Sequence, residues 1–97
     1  MSQAAEREYT ANTVDETVWV RVAGTGEVLG VQLEPPVMER SGPEIAARIQ
    51  ACADVAYFEG QVAVRAEWEA AGVPAEAFGW MPTAVELDAA RERLRRL

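Results

Sequence analysis

The chain has no histidine and no lysine, and one cysteine among 97 residues. Without histidine there is no Ser-His-Asp triad, no imidazole proton shuttle and none of the commoner zinc sites. One cysteine, Cys52, cannot close an internal disulfide, so a reducing, cytoplasmic home is the simplest expectation. No apolar run approaches the ~20 residues of a membrane-spanning helix, and the polar start MSQAAEREYT does not read as a signal peptide. Positive charge is also scarce. Nine arginines face 16 acidic residues, for a net charge of -7. That balance works against nucleic-acid binding by bulk electrostatics, which needs concentrated positive charge, though it leaves room for a local basic patch.

What is present is enough apolar material for a folded core, 49% of residues, in a chain of single-domain length. Residues 1–7 read as a frayed polar end, and Glu8 to Thr13 as a short strand. In the next segment Val18, Val20 and Val22 fall on one face, and Thr17, Trp19 and Arg21 on the other. Ala23-Gly24-Thr25-Gly26 supplies a hairpin turn, and the return strand carries Leu29, Val31 and Leu33 on one face. Residues 8–34 are thus a three-stranded antiparallel meander, ended by Pro35-Pro36, which cannot donate to a sheet ladder.

Ser41-Gly42-Pro43-Glu44 is a capping box opening a helix over 41–71. Ile45, Ile49, Cys52, Ala53 and Ala56 form one apolar stripe, with Val55, Phe58, Val62 and Ala66 beside it. Together they exceed what one small sheet covers, which calls for a second surface, most simply a second copy packing on this helix and otherwise the C-terminal helix. Gly60 inside it costs up to about 1 kcal/mol relative to alanine, and close helix–helix approach or a local bend would account for it. Residues 72–82 are a linker in which Phe78, Trp80 and Met81 are expected to dock on the body. Thr83-Ala84-Val85-Glu86 caps a final helix over 83–97, with Leu87, Ala90, Leu94 and Leu97 as its apolar stripe. The fold class is α+β in one domain.

Chemistry is sparse. Cys52 lies on the buried stripe with no base nearby in sequence and reads as a core thiol. Gly24-Thr25-Gly26 is followed by a strand, so it lacks the helix amides of a phosphate loop. Glu67 and Glu69 project about 200° apart on a helix and cannot act as a pair. No cofactor, metal or catalytic residue is expected. Two features could carry binding. Phe78, Trp80 and Met81, with Trp68 and Trp19, form either a recognition patch or a linker packed back on the helix. Arg91, Arg93, Arg95 and Arg96 could meet phosphate or an acidic partner, or simply complement the dipole at a helix C-terminus.

The stretch VWVRVAGTGEVLGVQLEPPVM followed by SGPEIAARIQACADVA resembles the YbaB/EbfC pattern: a valine-rich hairpin, an exit at Gln32-Leu33-Glu34-Pro35, and a helix opening with Pro-Glu. That resemblance implies a homodimer associating through sheet and helices, and in many members loose DNA binding as nucleoid-associated proteins. The longer order YTANTVDETVWVRV, GEVLGVQLE, an alanine-rich helix, then GWMPTAVELDAARERLRRL is similar to EspD-like proteins associated with ESX (type VII) secretion. There too a Gly-x-x-Pro stretch, here Gly79 to Pro82, precedes an acidic, alanine-rich terminal helix. The chain departs from both families: the long N-terminal helix of the DNA-binding members and the acidic ends of EspD are not matched. Nor is the Tyr-x-x-x-Asp/Glu export signal, since Thr13 follows Tyr9 and Gln61 follows Tyr57 at that spacing. These readings imply a non-catalytic homodimeric adaptor for a secretion-system protein, with a nucleoid-associated DNA-binding protein as the alternative.

Overall fold

A computed structural model describes residues 3–97, and Met1 and Ser2 lie outside the described residues. A helical turn α1 (Gln3–Glu6) leads into strands β1 (Glu8–Asn12), β2 (Val18–Ala23) and β3 (Val28–Leu33). They form one antiparallel sheet in the order β1-β2-β3. Branched valines favour the pleated, half-buried surface of a strand, and β2 is accordingly the sheet's centre. Val18, Val20 and Val22 are at most 1% exposed. Their register is Val20 against Ala11 on one side and Val31 on the other, with an irregularity between Arg21 and Val22. At the hairpin, Gly26 takes a φ of 104° that its neighbours with side chains would resist.

A 3-10 turn at Pro35–Glu39 buries Val37 and leads to the helix α2 (Gly42–Ala70). Both halves of the Ser41/Glu44 capping box form. At the other end Gly72, with a φ of 79°, takes the left-handed conformation that ends helices. At 29 residues α2 is about 44 Å long, and it sets the 49 Å length of the molecule. The sheet spans only part of that length. α3 (Ala84–Arg95), which starts from the Thr83/Glu86 capping box, runs antiparallel to α2 beside the sheet, and the far end of α2 around Val64 and Trp68 packs on α1 and the linker. Arg91 reaches Glu59 at 3.3 Å, and Arg48 Nη2 donates to the Leu97 carbonyl.

The core explains which apolar residues of α2 were needed. Cys52, Val55 and Ala56 are buried with Val18, Val20, Val22, Leu87, Ala90 and Leu94, and Ile45, Ile49, Ala53, Phe58 and Val62 pack against them. The breadth of the stripe is thus answered within the chain, because α3 covers what the sheet does not. Gly60 also has a different cause from the one expected. A side chain there would meet the Tyr9 ring at 3.2 Å, so β1, not a second helix, makes the close approach.

The N-terminal segment is a second correction. Residues 3–7 do not fray: Ala4 is 2% exposed in a satellite core with Val64, Phe78 and Met81. Its amide donates to Glu67 Oε1 at 2.9 Å, and Tyr9 Oη donates to its carbonyl. Gly24 is the counterpart, since a Cβ there would lie 2.2 Å from the Ala4 carbonyl oxygen. The turn at Gly24 therefore works as a seat for α1.

Candidate partner-binding surfaces

The linker holds the most exposed aromatic residue of the chain. Phe78 and Met81 are buried at 4% each, while Trp80 between them is 71% exposed. Burial of the two neighbours follows from a polar clamp beneath them. Arg65 Nη1 donates to the carbonyls of Phe78 (3.2 Å) and Met81 (2.7 Å), and its Nε pairs with Glu69 at 3.1 Å. The guanidinium also lies 5.1 Å from the Phe78 ring centre, and Trp68 meets the same ring edge-on at 6.4 Å. With its neighbours fixed, the loop presents Trp80 outward, its Nε1 donating to the Ala77 carbonyl. Val85, in the first turn of α3, is 75% exposed. The expectation that all three linker residues dock is thus met for Phe78 and Met81 and overturned for Trp80. Trp68 is half-buried and supports the patch from below.

A second apolar surface went unnoticed as a site in the sequence. In β3, Val28 is 58% exposed, Leu29 40%, Val31 46% and Leu33 38%. Alternation put Leu29, Val31 and Leu33 on one face but could not say that α2 would lie over β1 and β2 and leave β3 uncovered. The signal that could have found them is negative: no charged residue or proline interrupts Val28 to Leu33, and those are what usually protect an edge strand.

The arginine cluster is less available than its sequence suggests. Arg91 pairs with Glu59 and Asp88, and both Arg95 (2.7 Å) and Arg96 (3.4 Å) pair with Glu92. Arg93 and Arg96 border a groove of about 410 Å³ against Ala47, Ala51 and Asp54 of α2. Three of the four arginines are thus paired locally with carboxylates.

Reactive groups are held inert or kept apart. Cys52 is fully buried, its thiol donating to the Val18 carbonyl at 3.8 Å, and desolvation raises its pKa to about 11. A thiol so placed is protonated at neutral pH. Asp15 has its carboxyl lowered to about 2, chiefly by the Thr13 hydroxyl and then by the Thr17 hydroxyl and amide. Those bonds close the β1–β2 loop. On the sheet face away from α2, Thr10, Trp19, Arg21, Gly30 and Gln32 line a shallow depression of about 340 Å³, with Arg21 paired to Glu8 at 3.3 Å. Trp19 is half-buried there, donating to the Glu16 carbonyl, far in the register from the linker aromatics. Among the described residues no cluster of acidic or sulfur side chains is placed to hold a metal ion. No helix among them is long and apolar enough to cross a membrane.

Comparison with protein-family models, curated proteins and solved structures gives no match.

Proposed function

We propose that this protein is a non-catalytic, homodimeric, cytoplasmic adaptor that binds a protein partner, in the manner of the EspD-like, type VII secretion-associated proteins it resembles. The observation that carries the reading is Trp80. A tryptophan 71% exposed on a loop clamped by Arg65, Phe78 and Met81 is an anchor held ready without ordering cost. Rigid, exposed aromatics of this kind carry a large share of the energy at protein interfaces. Nothing comparable points to turnover: the one thiol is buried, and Asp15, Glu44 and Glu86 are engaged in a loop and two helix caps.

The expected result is that affinity purification of the tagged chain at native expression recovers a component or substrate of a type VII secretion system. Trp80→Ala should lower that recovery at least tenfold, since truncating a central aromatic anchor typically costs ~2 kcal/mol or more. Purification without any secretion component, together with unchanged export after deletion, would contradict the reading. The second reading, a nucleoid-associated DNA-binding dimer, draws on Arg91, Arg93, Arg95 and Arg96. A mobility-shift titration at low and moderate salt separates the two: the adaptor reading expects no shift even at low salt, where counterion release is most favourable.

A further inference from the structure

The geometry points to the free edge of β3 as the seat of a second copy of this chain, paired antiparallel about a two-fold axis through Val31. This inference rests on the homodimer reading and specifies where the two copies meet. The phase of the sheet fixes which backbone groups are available. The Thr13 amide donates to the Val18 carbonyl, and the Glu34 amide to the Thr17 carbonyl. In an antiparallel ladder bonded pairs alternate, so Gln32 and Gly30 bond inward to Trp19 and Arg21. Val31 and Leu33 turn their N–H and C=O groups to the open side, while Leu29 is the extra residue at the irregularity between Arg21 and Val22.

Three further features select a copy of the same strand as the occupant. First, Leu29-Gly30-Val31-Gln32-Leu33 has the same pattern in both directions: apolar, small or polar, Val, small or polar, apolar. A two-fold axis at Val31 sets Val31 against its counterpart, where the outward N–H of each meets the outward C=O of the other, and brings Leu33 beside the partner's Leu29. Second, Val31 and Leu33 lie on the helix side of the sheet, opposite Val20 and Val18, yet remain 46% and 38% exposed. A continuous six-stranded sheet would bring the second copy's α2 to the same side and close that gap from both halves.

Third, the area is of the right order. Exposed fractions of 58%, 40%, 46% and 38% on Val28, Leu29, Val31 and Leu33, and 38% on Tyr57 beside Gly26, leave roughly 400 Å² of side chain open. That is about half of the ~800 Å² per partner in a standard interface, before the backbone edge and the half-buried Ile45, Ile49 and Ala53 are added.

Single cysteines test the register. Across a bonded antiparallel pair the Cα atoms are ~5.5 Å apart, within disulfide range, so Val31→Cys places two thiols face to face. Val28→Cys faces the partner's Glu34 instead, and its own counterpart lies six residues, about 20 Å, further along. Under mild oxidation of the full-length chain, Val31→Cys is expected to form a covalent dimer at least tenfold faster than Val28→Cys, although Val28 is the more exposed. Val31→Lys is expected to sediment as a folded monomer with unchanged circular dichroism. Equal cross-linking at the two positions, or a Val31→Lys variant that remains dimeric, overturns the β3 pairing while leaving a homodimer by another surface. An unsubstituted chain that sediments as a monomer overturns the homodimer reading as well.

Discussion

Phe78→Ala is expected to be the most damaging conservative truncation outside the main core, costing about 3 kcal/mol of stability. The range for a buried phenylalanine is about 3–5 kcal/mol, and the lower end applies because the linker can detach and relieve part of the cavity. Three contacts go at once: the edge-on meeting with Trp68, the guanidinium of Arg65 over the ring, and packing against the small cluster of Ala4, Val64 and Met81. Denaturant titration followed by tryptophan fluorescence measures the loss. The same substitution should weaken partner recovery as strongly as Trp80→Ala, because it frees the loop that presents Trp80. Trp80→Ala itself should change stability by less than about 0.5 kcal/mol, as an exposed side chain does. Loss of binding with stability intact in one variant, and of both in the other, would separate the anchor from its support.

Thr13→Val is the second large effect, expected at about 1–3 kcal/mol despite being nearly isosteric. Thr13 is fully buried, and its Oγ1 accepts from the amides of Thr17 and Val18 while donating to Asp15 Oδ1. Valine leaves the Val18 amide buried without that acceptor, and an unmade bond at a buried donor costs its desolvation in full. Thr13→Ser should recover most of the loss. The pH dependence carries a second signature. Asp15, lowered to about 2 from the usual 3.8, adds stability that is fully present above about pH 4 and is lost as pH falls towards 2. Removing its largest stabilising donor raises that folded pKa. Acid unfolding of Thr13→Val should therefore begin at higher pH than that of the parent, and a circular-dichroism titration from pH 5 to pH 2 would show it.

How much of this was legible in the sequence depended on how local the cause was. The hairpin, both capping boxes and the stop at Gly72 follow from residues within a few positions of one another, and each stands where expected. The α+β order of elements followed with them. Long-range placement was not legible. Gly60 faces Tyr9, and Gly24 faces Ala4. Both pairings depend on where α1 and β1 settle along α2, which no sequence spacing states. The apolar excess on α2 was read correctly as too wide for the sheet, but its cover is α3 and the linker. The real excess is on β3, because α2 lies over β1 and β2 only.

The linker divides the same way. Hydrophobicity marked Phe78, Trp80 and Met81 alike, and only the carbonyls gripped by Arg65 decide which two turn inward. Of the arginine cluster, Glu59, Asp88 and Glu92 answer three of the four charges, pairings that depend partly on how α3 lies along α2.

On the proposed reading, the apolar residues left outside this monomer's core are covered by other chains, first by a second copy. Sedimentation equilibrium of the unmodified chain at micromolar concentration tests it most directly. The expected mass is twice the 10.6 kDa of the single chain, falling to that single mass in Val31→Lys. A clean 10.6 kDa species for the unmodified chain would contradict it.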